Sequence, residues 1–172
     1  MNDYFRRVTI SLVLPFVFIV GFPIAAILLH DTNRITWLRE APLSYLASII
    51  GFLLIAFGLV LIRKTIPLFL KLNEGTIMPW EPTTELIVVG VYRYVRNPMH
   101  TGVFCIMLGE GLILRSISIL IFTTFAIFLH LFYIPFSEER GLEKRFGEEY
   151  RVYKENVPRW IPRWTPWEPK DI

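Results

Sequence analysis

Two short stretches of this 172-residue chain bring together side chains able to do chemistry. The first runs Glu85-Leu86-Ile87-Val88-Val89-Gly90-Val91-Tyr92-Arg93-Tyr94-Val95-Arg96-Asn97-Pro98-Met99-His100 and holds two arginines, two tyrosines, an amide and an imidazole. The second is Ser137-Glu138-Glu139-Arg140. Carboxylates facing such donors make a polar pocket suited to an orienting or binding role. The plainer alternatives are arginines that meet anionic headgroups and glutamates that favour a helix N-terminus. Glu110, between Gly109 and Gly111, is an acid inside an apolar stretch; it is a functional candidate or a partner of Arg115. His130 also falls in an apolar stretch, where a hydrogen-bonded histidine facing the bundle is the expectation. No P-loop or GxSxG occurs. The single cysteine excludes a disulfide framework and a Cys-based zinc site, and no metal site is expected.

The elements that hold these residues are apolar helices. Hydrophobic residues make up 53% of the chain, mean hydropathy is +0.47, and charged residues are 19%, below the roughly 25% of soluble domains. Four spans are expected at about 8–29, 43–62, 97–114 and 117–136, followed by a tail at 137–172. A helix needs about 20 apolar residues to cross a bilayer core, so the third span must borrow a turn near Asn97 or lie among the others. Only Arg115 and Ser116 part the last two spans, which makes them a tight hairpin. Both chemical stretches then lie at the same end. Residues 63–98 form a long loop. Pro15 and Pro23 kink the first span, and the small residues of the second, among them Ser44, Gly51 and Gly58, form a helix-packing face.

Of 18 Lys and Arg, 15 fall on the side of the termini and the long loop, and Arg34, Arg39 and Arg115 on the other. That split places both termini in the cytoplasm. It points the basic charge at a membrane surface, with no nucleic-acid partner. In the tail, Leu142, Phe146, Tyr150, Tyr153 and Val157 form one apolar stripe on a charged helix, suited to the membrane or to the cytoplasmic face of the bundle. The Pro158-Arg159-Trp160 and Pro162-Arg163-Trp164 repeats forbid helix, and Trp beside Arg suits the headgroup zone. The fold expected is an all-α integral membrane protein of about four transmembrane helices with a cytoplasmic amphipathic C-terminal helix.

The run Gly90-Val91-Tyr92-Arg93-Tyr94-Val95-Arg96-Asn97-Pro98-Met99-His100 resembles a signature of the isoprenylcysteine carboxyl methyltransferase superfamily, which includes integral-membrane phospholipid N-methyltransferases. Glu138-Glu139, Leu142, Phe146-Gly147, Tyr150, Tyr153 and Val157-Pro158 resemble its second signature. The resemblance covers roughly residues 45 to 162. It implies S-adenosylmethionine as methyl donor and a lipophilic or lipid acceptor at the cytoplasmic boundary. It also implies a cofactor pocket lined by Thr84, Glu85, Leu86, Ile87, Tyr92, Asn97, Pro98, Met99 and His100, with Glu138 as the cofactor-binding glutamate.

Arg96, Glu138 and His100 are the expected catalytic or positioning residues. Pro98 biases Asn97 away from helix, which would aim Arg96 and Asn97 into the pocket. His100 stands where the family usually has Tyr. Ile134 stands where its carboxylate-binding members have Arg, which leaves the acceptor a broader lipophilic amine, thiol or hydroxyl. The acceptor is expected to enter sideways from the bilayer through a gap between spans near Gly51 and Gly58. Two other classes remain open: a sterol-type NADPH-dependent reductase, which shares the scaffold by resemblance, and a non-enzymatic membrane protein.

Overall fold

The computed structural model describes residues 17–29, 40–72 and 85–169, and every regular element among them is helical. A π-helical turn at Val17–Gly21 leads into α1 (Phe22–Leu29). Then follow α2 (Leu43–Leu72), a 3₁₀ turn at Gly90–Arg93, α3 (Pro98–Leu114) and α4 (Ile117–Tyr133). A second π-helical turn, Ile134–Glu138, joins α4 to α5 (Glu139–Asn156), and an extended tail closes the described chain. The stretches Leu43–Leu68 and Ile117–Asn156 are long and apolar enough to cross a membrane, while Pro98–Leu114 is apolar but shorter. The first sixteen residues, Thr84 and the last three residues lie outside the described part.

Helix α2 corrects one expectation. It does not stop at Ile62 but continues through Arg63, Lys64 and Pro67 to Leu72. The charges mark where the helix leaves its apolar environment, not where it ends. A proline this near the C-terminus removes a backbone bond without terminating the helix.

Helices α2 and α3 run antiparallel with their backbones in contact. A Cβ added to Gly58 would sit 2.5 Å from the Gly102 carbonyl oxygen, and one added to Gly109 would sit 2.5 Å from that of Gly51. Ser44, Gly51, Gly58 and Thr65 recur every seven residues on α2 and are all buried. Gly102 and Gly109 answer them on α3 with the same spacing. Helices meeting through small residues gain dispersion contacts that do not depend on expelling water. The Thr65 hydroxyl donates back to the Leu61 and Ile62 carbonyls, so its own donor is not left open in the seam. Gly51 and Gly58 are therefore where the helices touch, and the gap expected beside them is absent. The outward face of α2 exposes Leu46, Ile49, Leu53, Phe57 and Val60, a surface suited to lipid.

The α3–α4 hairpin closes on Arg115, whose left-handed φ of 53° ends α3. Its amide donates to the Leu112 carbonyl and that of Ser116 to Gly111. The Ser116 hydroxyl then accepts from the Ile119 amide at the start of α4. Helix α1 docks on α4 through stacked Phe22 and Phe122 rings.

Gly58→Val should separate α2 from α3 and cost about 1–3 kcal/mol through overpacking. Gly141→Ala should be neutral or slightly stabilising, because nothing lies within 4 Å of the added methyl. Thermal unfolding of the detergent-solubilised variants checks both; equal melting temperatures for the two would contradict the glycine seam.

Candidate active site

The hairpin and the tail converge at one end of the bundle on a buried carboxylate. Glu139, at the start of α5, is 2% exposed. Arg96 Nη1 lies 2.9 Å from its Oε1. Arg159 donates to both oxygens, Nε to Oε1 at 2.7 Å and Nη2 to Oε2 at 2.8 Å. Lys154 Nζ stands 3.6 Å from Oε2. Burial pushes the Glu139 carboxyl upward, but the Arg159 hydrogen bonds and the charges of Arg96, Arg159 and Lys154 outweigh it and hold the group below its ordinary value. Arg96 also donates to the Tyr150 hydroxyl at 3.4 Å, while its own Nε is buried without a partner.

This cluster fixes the loop that carries the first chemical stretch. The Arg96 amide donates to the Pro158 carbonyl, that of Arg163 to Tyr94, and that of Trp167 to Arg93. Arg93 Nε returns a 2.7 Å bond to the Trp167 carbonyl, and its Nη2 pairs with Glu168. The prolines keep the tail extended, which leaves its backbone groups free to pair with the loop. Trp160 and Trp167 are accordingly turned toward the protein: Trp160 lies beside Phe104 and Trp167 beside Tyr153. Of the tail tryptophans expected at the headgroups, only Trp164 is presented outward, with Ile161 exposed near it.

The apolar stripe of the tail helix is present and faces the loop. Tyr150, Tyr153 and Val157 form a buried core against Leu86, Val88, Leu142, Phe146 and Trp167. Gly147 interrupts α5 with φ 55°, a conformation costly for other residues. The Tyr153 hydroxyl donates to the Tyr92 carbonyl at 2.8 Å, tying α5 to the 3₁₀ turn.

Of the two neighbouring glutamates, the one that meets the arginines is Glu139. Adjacent helical positions point about 100° apart, and Glu138 is turned elsewhere. Among the described residues its side chain makes no hydrogen bond. Its carboxyl is raised, first by burial and then by the Glu139 charge, and its own charge helps raise the buried Tyr92 hydroxyl. A half-buried acid without a partner, beside Tyr92, is a group waiting for a cation or a donor.

The remaining expected site residues lie on the loop and in the first turn of α3. Asn97 stands at the N-cap position of α3 without a side-chain capping bond, its amide instead reaching the Arg159 carbonyl at 3.5 Å, and Pro98 opens the helix. Ile87 and Tyr92 are buried, Leu86 and Met99 partly buried, and Glu85 is exposed at the edge of the described loop. Thr84 lies outside the described residues. His100, in the first turn of α3, faces His130 of α4 with ring centroids 5.2 Å apart. Glu110 sits at the far end of α3 with Oε2 buried and no partner among the described residues; it does not pair with Arg115. Sequence reasoning named Glu139, Tyr150 and Arg159 but gave none of them a separate role in the site. Arg159 carried a signal in its proline-flanked position next to the second signature.

This arrangement of a helical hairpin, a clamped loop and an acidic helix start belongs to a known class. Residues 46–149 match the family model described as phospholipid methyltransferase, and the chain belongs to that family within the isoprenylcysteine carboxyl methyltransferase superfamily. It is 32% identical over 145 residues to "Protein-S-isoprenylcysteine O-methyltransferase" of Xenopus laevis, covering 83% of this chain and 47% of the relative. The Homo sapiens protein of the same name is 29% identical, over 82% of this chain and 47% of the relative. The one from Schizosaccharomyces pombe is 35% identical over 80 residues, 45% of this chain and 33% of the relative. The chain thus spans about half the length of the first two.

Glu139→Gln should cost about 3–5 kcal/mol, because it leaves Arg96 buried without its counter-charge. The pH dependence follows in sign. Glu139 is depressed in the folded state, so its contribution is present above its ordinary value of 4.5 and fades as pH falls toward the folded value. Wild-type melting temperature should therefore drop below about pH 4.5 more steeply than that of Glu139→Gln; parallel curves would contradict the role of this pair.

Proposed function

We propose that this chain is an integral-membrane methyltransferase that uses S-adenosylmethionine and methylates a lipophilic acceptor at the cytoplasmic membrane boundary. The proposal includes four spans, both termini in the cytoplasm, and Trp164 and Ile161 of the tail set among the headgroups. The observation that carries it is the juxtaposition of the Tyr92–His100 segment with an unpartnered, raised Glu138. Family membership supports the reaction class.

The residues present suit such a cofactor. When bound, it supplies an electrophilic methyl group on a cationic sulfonium. Glu138 is a carboxylate without a protein partner, fit for an ammonium or a ribose diol. Tyr92, Asn97, Pro98, Met99 and His100 form the facing wall, with Leu86 and Ile87 behind the loop. Arg96 acts through Glu139: it holds the loop in place as a positioning residue. Transfer by direct displacement requires positioning and exclusion of water above all, which is what a clamped loop and tail supply. A lipophilic acceptor loses about 0.8 kcal/mol of burial per CH₂ by crossing water, which favours entry from the bilayer. With α2 and α3 sealed by their glycines, such a path would have to run elsewhere, on the α4 side.

S-adenosylhomocysteine at about 100 times its Kd should stabilise the solubilised protein by about 2.7 kcal/mol. NADPH should do nothing. Glu138→Gln should weaken that binding roughly 10- to 100-fold, the equivalent of one charge-assisted contact, while the unliganded protein stays folded. Stabilisation by NADPH alone would favour the reductase reading, and undiminished binding by Glu138→Gln would remove Glu138 from the site.

A further inference from the structure

Helix α4 carries one imidazole that the cofactor site does not use. His130 lies two turns before Glu138, about 12 Å along the axis, and on the apolar side of the clamp. Its Nδ1 is 2.8 Å from the Ala126 carbonyl oxygen. A carbonyl only accepts, so Nδ1 carries a proton, and in the neutral ring Nε2 then holds the lone pair. Nε2 has no hydrogen-bond partner among the described residues. Around the ring stand His100 at 5.2 Å, Phe104 edge-on at 5.1 Å and Tyr133 at 6.2 Å between centroids. Trp160 closes the group from the tail, 6.4 Å from Phe104, with Nε1 buried and without a hydrogen-bond partner among the described residues. The cluster is thus apolar in its walls but keeps an open acceptor, an open donor and a second imidazole.

The charge pattern narrows what such a cluster takes. Between Arg115 and Glu138 the sequence has no charged residue, and α3 has none from Pro98 to Gly109. Helix α1, packed on α4, contributes no titratable side chain. An anionic acceptor would find no cation here, and desolvating it would be costly. A neutral thiol or hydroxyl, unlike a neutral amine, must lose a proton as it is methylated, and an imidazole lone pair is placed to take it.

We propose that His130 is the general base of the methyl transfer and that the acceptor is a lipophilic thiol or phenol. This rests on the methyltransferase reading above. The acceptor's sulfur or oxygen forms the bond to the methyl carbon as the carbon–sulfonium bond breaks. The electron pair of that bond stays on the donor sulfur, which becomes a neutral thioether, and the acceptor proton moves to His130 Nε2. Thiols and phenols titrate near 8.5 and 10, about 2 to 3.5 units above an ordinary imidazole. An aliphatic hydroxyl is a far weaker acid than either, so the same imidazole assists its methylation less. Trp160 Nε1 is the donor left to orient the acceptor atom.

His130→Asn tests the assignment, since an asparagine amide can still donate to the Ala126 carbonyl but cannot take up a proton. Methylation of a long-chain thiol and a long-chain phenol at pH 7 should fall about 100-fold or more. S-adenosylhomocysteine stabilisation should remain as in the wild type. The residual rate should climb with pH toward the acceptor's own titration, because preformed thiolate or phenolate needs no base. A prenylated thioether carboxylate, offered in parallel, should be a poor acceptor for both proteins. Unchanged turnover of thiol and phenol by His130→Asn would overturn the proposal, as would efficient methylation of the carboxylate by both proteins. If His130→Asn does not fold, His130→Gln takes its place with the same expected and contrary results. Wild-type protein that binds no S-adenosylhomocysteine would overturn the methyltransferase reading itself, and this inference with it.

Discussion

Burying Glu139 with Arg96 and Arg159 is the constraint on which the rest of this site depends. An isolated carboxylate in so closed a position would be neutralised or expelled. Here it receives two parallel bonds from one guanidinium and an ion pair from another. These three residues come from three separate parts of the chain: the loop before α3, the start of α5 and the extended tail. None of them can leave without stranding the others, so the pair fixes the loop and the tail against each other as one unit. Such a pair need not add net stability relative to an apolar replacement; what it gives is a defined register between segments that have no regular structure of their own.

Around that point the fold divides its tasks. The α2–α3 seam is built from glycine, serine and threonine, so backbone contact replaces side-chain interdigitation. It is rigid and leaves no opening. Helix α4 buries only Ile119, Thr123 and Ala126 deeply and carries large apolar side chains outward, which makes its half nearer Glu138 the looser wall. His100, His130 and Phe104 lie in that wall, between the polar clamp and the apolar body of the bundle.

Much of this was legible in the residues. The uncharged runs and the two-residue link at Arg115-Ser116 set the hairpin, and the hairpin alone brought the Tyr92–His100 segment beside Glu138-Glu139. The helical period of Tyr150, Tyr153 and Val157 marked a buried stripe, and the small residues of α2 marked a packing face. Other features depend on orientation, which a single sequence does not encode. Neighbouring glutamates differ by about 100° of helix rotation, and only the tertiary position of Arg159 decides which is enclosed. The Pro-Arg-Trp repeats fit a headgroup anchor equally well until the backbone pairing of Arg96, Arg163 and Trp167 is seen. Arg63 and Lys64 read as a helix end because charge stops an apolar run; the backbone has no reason to stop there.

The most direct test of the account is an experimental structure of the full chain in lipid with S-adenosylhomocysteine bound. The account predicts ligand polar atoms on Glu138, with Tyr92 and Asn97 alongside, while Arg96 and Arg159 stay on Glu139. A ligand held by Glu139, with Arg96 released from it and Glu138 facing solvent, would contradict it.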